Sequence, residues 1–200
     1  MNKTIFYLLS LVIFTGCKSW DSSMLMPKND PLTPKLLTLE RRIEDLSNTT
    51  VVANGDELIL FTKEVENNLI DPYGDKYGYI ALKKNIIKVN HGMGYLIPSA
   101  ILLYVPTLFG FPCSNISYKV EVEIRIMDRD NKLISKYSAI GESRVKAAMY
   151  YGYSLSNAAR KSYSDAILDA FNKIRPQIQL NAANINEKLR LAGKLKKFTE

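Results

Sequence analysis

Residues 118–140 read YKVEVEIRIMDRDNKLISKYSAI. Tyr118, Val120, Val122, Ile124 and Ile126 alternate with Lys119, Glu121, Glu123 and Arg125. Successive side chains of a strand point to opposite faces, so this alternation describes a strand with one buried and one solvated face. Asp128-Arg129-Asp130-Asn131-Lys132 reads as a turn, and Leu133–Ile140 returns as the second arm of a hairpin. The Asp128/Asp130/Asn131 spacing is that of a calcium loop, but the position of the closing glutamate is Ala139, and no metal is expected there.

Downstream, Ala159, Tyr163, Ala166, Ile167, Ala170, Phe171 and Ile174 form one stripe at helical spacing and predict a helix over 157–175. Its alanines suit close packing on a sheet, and Pro176 is expected to end it. Residues 181–200 read as a basic tail, either frayed or a loose amphipathic helix facing anionic lipid.

Upstream, Tyr79–Val89 predicts another strand. Residues 57–68 fit a helix with apolar positions 58, 61, 65 and 69, preferred over short strands around Asn54-Gly55-Asp56. Leu39–Ser47 has the spacing of a helical turn or two. These elements predict an α+β fold: one small domain over 39–180, with a mixed or antiparallel sheet and helices on one face.

Residues 95–112, YLIPSAILLYVPTLFGFP, hold no charge, and Pro98, Pro106 and Pro112 argue against one regular helix. Two readings stay open. The segment is a buried plug, which is preferred, or a surface element contacting a membrane or a partner through Leu96, Ile101, Leu102, Leu103, Leu108, Phe109 and Phe111.

The N-terminus carries an address. Lys3 precedes an uncharged apolar run from Ile5 to Phe14, the pattern of a secretory signal over residues 1–16. Phe14-Thr15-Gly16-Cys17 resembles the lipobox of bacterial lipoproteins, with Phe where that family most often has Leu. The resemblance implies cleavage before Cys17, acylation of Cys17, and a soluble domain anchored in a bacterial cell envelope. Lys18, rather than Asp, after the cysteine points to the outer membrane on the same analogy. Residues 17–38, with Pro27, Pro31 and Pro34, read as the lipidated cysteine and an extended tether, with docking of Met24, Leu25 and Met26 on the domain left open.

The whole chain has 200 residues and a net charge of +7. Removing 1–16 takes away only Lys3, leaving 26 − 20 = +6. In an envelope this charge faces lipid headgroups and polymers, and no nucleic-acid partner is expected. The expected partners are membrane lipid through Cys17 and an envelope protein or a second copy of the chain. With Cys17 lipidated, Cys113 has no intramolecular partner and is expected to be buried.

The one histidine, His91, excludes a multi-histidine zinc site and restricts any nucleophilic triad to that residue. No phosphate loop, dinucleotide fingerprint or nucleophile elbow is present. No catalytic residue, metal or cofactor is therefore expected. Tyr150, Tyr151 and Tyr153 around Gly152 are candidates for stacking on a ligand, with packing on the sheet edge as the alternative.

Strand, turn, strand, tyrosine-glycine loop and alanine-rich helix over residues 115–176 resemble the C-terminal half of small α/β envelope lipoproteins, those of curli secretion and the Tol system. That resemblance implies a role in envelope assembly or secretion and carries over no catalytic residues. Three roles are weighed: a non-catalytic assembly, secretion-accessory or structural protein; a membrane-inserting or pore subunit using 95–112; and an envelope glycan binder.

Overall fold

The computed structural model describes residues 18–43, 55–92, 94, 96–102, 105, 111–148 and 152–195. The alternating stretch forms strand β3, and the hairpin is longer than its sequence signal. Strand β1 is Glu40–Ile43, β2 Gly78–Asn90, β3 Ser114–Asp128 and β4 Leu133–Ala147. They form one sheet in the order β1-β2-β3-β4, antiparallel except that β1 pairs with β2 in parallel. Helix α1 spans Asp56–Glu64 and continues as a π-helical turn over Val65–Leu69. Helix α2 is the short Leu96–Ile101, and α3 runs over Leu155–Ala192. This is a single small α+β domain with a mixed sheet.

The hairpin turn is set by side-chain chemistry. Asp128 Oδ1 accepts from the backbone N–H of Asp130 (2.9 Å) and Lys132 (2.8 Å), and Asn131 takes the left-handed conformation at φ 61°. Short polar side chains tolerate that region and bond to their own turn. The acidic cluster there is thus a turn device.

Ile80, Leu82, Val120, Val122, Ile124 and Ile126 put one sheet face into the core, where α3 covers them with Ala166, Ala170, Phe171 and Ile174. The helix comes close because β4 carries Gly141 and α3 carries alanines. A Cβ on Gly141 would overlap the Ala166 carbonyl oxygen and lie 2.7 Å from Ala170 N. The opposite face pairs Lys119 with Glu142 (2.6 Å) and Glu123 with Lys136 (2.8 Å) and Arg125 (2.5 Å). Burial works against ionisation of Glu123, but hydrogen bonds from Lys136 and Arg125 outweigh it and hold its carboxyl below its ordinary range.

Four sequence expectations are corrected. Residues 18–38 are not a tether: Leu25, Leu32 and Leu36 are buried in the core. The segment holds a 3-10 turn at Ser22–Leu25 and a cis peptide bond at Thr33-Pro34, and its backbone groups find partners on α3 and the π-helical turn. Gln179 Oε1 accepts from Thr33 N (2.8 Å), Asn186 Oδ1 accepts from Leu37 N (2.9 Å), and Asn186 Nδ2 donates to Lys35 O (2.9 Å). Leu32 N and Leu36 N donate to the carbonyls of Asn68 and Leu69.

The second correction is at Pro176, which lies inside α3 and does not end it. A mid-helix proline costs about 3 kcal/mol. Burial of Ile178, Ala182, Ile185 and Leu189 on the docked N-terminal segment supplies the compensation. It follows, third, that residues 181–192 are not a frayed tail: of the two readings the helix holds, and it continues α3 with Ala182, Ile185 and Leu189 in the core. Lys194 is fastened by Asp75 (2.6 Å). Fourth, residues 40–43 form an edge strand instead of a helical turn, with Arg42 stacked 3.4 Å from the Tyr79 ring centroid. Residues 44–47 lie outside the described residues.

Gly141→Ala is expected to lower the unfolding free energy by about 3 kcal/mol, the upper range for overpacking. Gly94→Ala, where an added Cβ meets nothing within 4 Å, should change it by less than about 0.5 kcal/mol. Urea unfolding of both variants measures the difference.

Candidate functional site

The sheet has two unlike ends. At one, β2 finishes at Asn90, β3 begins at Ser114 and β4 finishes at Ala147. Ala147 pairs with Ser114 across the ladder and forms a bridge with Tyr153, which forms another with Lys18. Lys18, Tyr153, Ala147 and Ser114 thus succeed one another by strand-like steps of about 4.8 Å. The residue after Cys17 therefore lies at the end of the sheet where β2 finishes and β3 begins.

The described apolar residues between β2 and β3 are exposed, so the preferred plug reading is corrected for them. Ile97 is 65% exposed, Ile101 75%, Leu102 56% and Phe111 62%. The physical reason is that α3 and the docked N-terminal segment already fill the core face. Leu96 opens α2; Leu103, Leu108 and Phe109 lie outside the described residues, as does Cys17. Among the described residues no helix is long and apolar enough to cross a membrane.

Beside this segment, on the open face of the same end, is a polar groove of about 530 Å³ lined by Lys88, Asn90, Ser117, Lys119, Glu142 and Arg144. Antiparallel pairing sets Arg144 against Ser117 and Lys119 against Lys88, across the bulge between Ile86 and Lys88. Lys146, paired with Asn115, continues the cationic row, and Lys88, Arg144 and Lys146 are exposed. One carboxylate, Glu142, sits among them and binds Lys119.

The other sequence candidates are placed as follows. Tyr150 and Tyr151 lie outside the described residues. Tyr153 is half-buried; its hydroxyl donates to Met24 Sδ at 3.8 Å and Lys18 Nζ lies 5.9 Å from its ring centroid, so the ring is committed to packing. His91 is exposed, and its carbonyl accepts from the Ser114 hydroxyl. Cys113 is a free thiol, only half-buried against the expectation of burial, because it sits at the rim where β3 begins. Among the described residues no group of three or more His, Cys, Asp or Glu is placed to hold a metal ion.

Sequence reasoning missed a buried polar network joining α1 to α3. Arg175 Nε and Nη2 donate to the two Glu64 carboxylate oxygens at 3.0 and 2.9 Å. Asn68 donates to Glu64 (2.7 Å) and to the Lys28 carbonyl (2.9 Å). Burial pushes the Glu64 carboxyl up, against the lowering effect of Asn68 and Arg175. Arg160 grips Asp56 (Nη2–Oδ1 2.6 Å) and stacks 4.3 Å from the Trp20 centroid. Tyr163 donates to Glu57 at 2.8 Å and accepts from Lys84 at 3.1 Å, while Lys84 also pairs with Glu57. One signal was present: Asp56, Glu57 and Glu64 share the helical stripe of Leu60 and Phe61, the face that enters the core.

Glu57 and Tyr163 are each 2% exposed, so this cluster works as structural glue. No protein-family model matches the chain, and no curated protein matches its sequence.

Burial, then the Glu57 carboxylate, pushes the Tyr163 phenol above its ordinary 10.0. Folding therefore favours its neutral form. The associated stability is complete below pH 10 and is lost as pH rises beyond it. Denaturant midpoints should fall above about pH 10, and Tyr163→Phe should flatten that fall. Arg175→Met, which strands Glu64, is expected to cost roughly 3–5 kcal/mol in the same measurement at pH 7.

Proposed function

We propose that this chain is a lipid-anchored protein of a bacterial cell envelope, with a non-catalytic assembly, secretion-accessory or structural role. The observation that carries the reading is the lipobox-like Phe14-Thr15-Gly16-Cys17, followed at once by Lys18, which already belongs to the folded domain. Two or more acyl chains hold a domain stably, at about 0.8 kcal/mol per buried methylene. The outer membrane is the favoured site on the strength of Lys18. The pattern likeness of residues 115–176 to curli-secretion and Tol-type lipoproteins supports an assembly role. The engagement of its buried ionisable groups in structural pairs supports a role in binding rather than catalysis.

A second reading, a membrane-inserting or pore subunit, is favoured by the exposure of Ile97, Ile101, Leu102 and Phe111. Leakage of vesicle-trapped dye on addition of the protein would support it.

Cys17→Ser is expected to abolish incorporation of labelled palmitate and to leave the precursor uncut. Both are read by gel mobility and mass spectrometry of membrane fractions. Normal processing of the variant would remove the basis of the anchor.

A further inference from the structure

We propose that the sheet end formed by Asn90, Ser114 and Ala147 is a docking surface for an anionic phospholipid bilayer. Ile97, Ile101, Leu102 and Phe111 enter the acyl boundary, and Lys88, Arg144 and Lys146 meet headgroup phosphates. The proposal builds on the lipid-anchor reading, which brings a bilayer to this end.

Three independent features coincide there. The first is apolar area without cover: Ile97, Ile101, Leu102 and Phe111, all in the connection between β2 and β3, are more than half exposed, and large exposed apolar groups gathered at one end of a fold mark an interaction site. The second is an excess of positive charge beside it, the carboxylate of Glu142 being paired with Lys119. Lys88, Arg144 and Lys146 are exposed on the open sheet face at this end. Cations next to inserted apolar groups match the arrangement of anionic headgroups over acyl chains. The third is the position of Lys18. The bridges from Lys18 to Tyr153 and on to Ala147, and the pairing of Ala147 with Ser114, place residue 18 about 15 Å from the root of the apolar segment. A protein partner or a second copy accounts for the apolar area but not for the cationic row and residue 18 meeting it at one end.

The docking is shallow. Helix α2 has six residues and is about 9 Å long, whereas a hydrocarbon core is about 30 Å thick. Burial of roughly 5–10 Å at the headgroup boundary fits an element of this size.

The test uses the full-length lipoprotein in a Cys113→Ser background. An environment-sensitive dye is attached through Ile101→Cys, Phe111→Cys or Leu180→Cys, the last on the exposed side of α3. The protein is reconstituted into vesicles of mixed phosphatidylglycerol and phosphatidylcholine, or of phosphatidylcholine alone, each with a nitroxide-bearing lipid as quencher. Mass spectrometry reports the acyl chains on Cys17.

Dyes at 101 and 111 are expected to be quenched several-fold more than at 180, most strongly in the anionic vesicles. In a soluble binding format, Lys88→Gln, Arg144→Gln and Lys146→Gln should each weaken partitioning into anionic vesicles about fivefold, without affecting neutral ones. Dyes at 101 and 111 as hydrated as at 180, with Cys17 acylated, would overturn the docking and leave the anchor standing. Quenching at 101 and 111 with Cys17 unmodified would overturn the anchor and support the docking. Shielding that persists without lipid in a sedimenting dimer would assign the surface to a second copy and overturn the proposal. Release of trapped dye would overturn shallow docking in favour of insertion.

Discussion

The buried pair of Glu64 and Arg175 holds three parts of the chain in one place. Glu64 belongs to α1, Arg175 to α3, and Asn68, bonded to Glu64, fixes the carbonyl of Lys28 and the N–H of Asp30 in the N-terminal segment. Arg175 also reaches Asp30 at 3.2 Å. A charge removed from water is tolerable only when its hydrogen-bonding capacity is filled. These groups fill one another's capacity only in this arrangement. The pair thereby sets the register of α1 on α3 and draws residues 28–36 onto both, and the remaining apolar contacts form within that frame.

The hairpin, strand β2 and the first half of α3 were legible because each has a period that a single element can satisfy; for α1 the helix was legible but its inward face was off at one position, since Leu58 is exposed and Leu60 is buried. Tyr118 to Ile126 alternates, and Ala159 to Ile174 recurs at helical spacing. What was illegible depended on distant partners. Pro27, Pro31 and Pro34 favour an extended chain whether or not it is docked, and the docking comes from Gln179 and Asn186, about 150 residues away. Pro176 opposes a helix locally and is overruled by burial on both sides of it. The two ends of the proposed site were read unequally. Residues 95–112 stood out by composition, but composition does not separate a buried plug from an exposed patch. The cationic row was invisible, since Lys88, Arg144 and Lys146 become neighbours only through strand pairing.

The packing also separates the two faces of the sheet by task. One face is sealed by α3, with Gly141 giving the helix backbone room beside β4. The other holds alternating charges in cross-strand pairs, each of which contributes little at the surface. Among the described residues no helix covers that open face: its middle holds charges engaged with one another, and Lys88, Arg144 and Lys146 stand exposed at one end.

The absence of slack at residue 18 has a mechanical consequence. A chain joined to its anchor by a free linker samples a cloud of positions, and its effective concentration for anything nearby is spread over that volume. Here Lys18 is already bridged into the fold, so an attachment one residue earlier would transmit orientation as well as proximity. Strand β3 has 15 residues, a length of about 50 Å. The domain would stand as a short mast, with the far hairpin turn and the C-terminal end of α3 presented at a fixed height above the surface that holds its base.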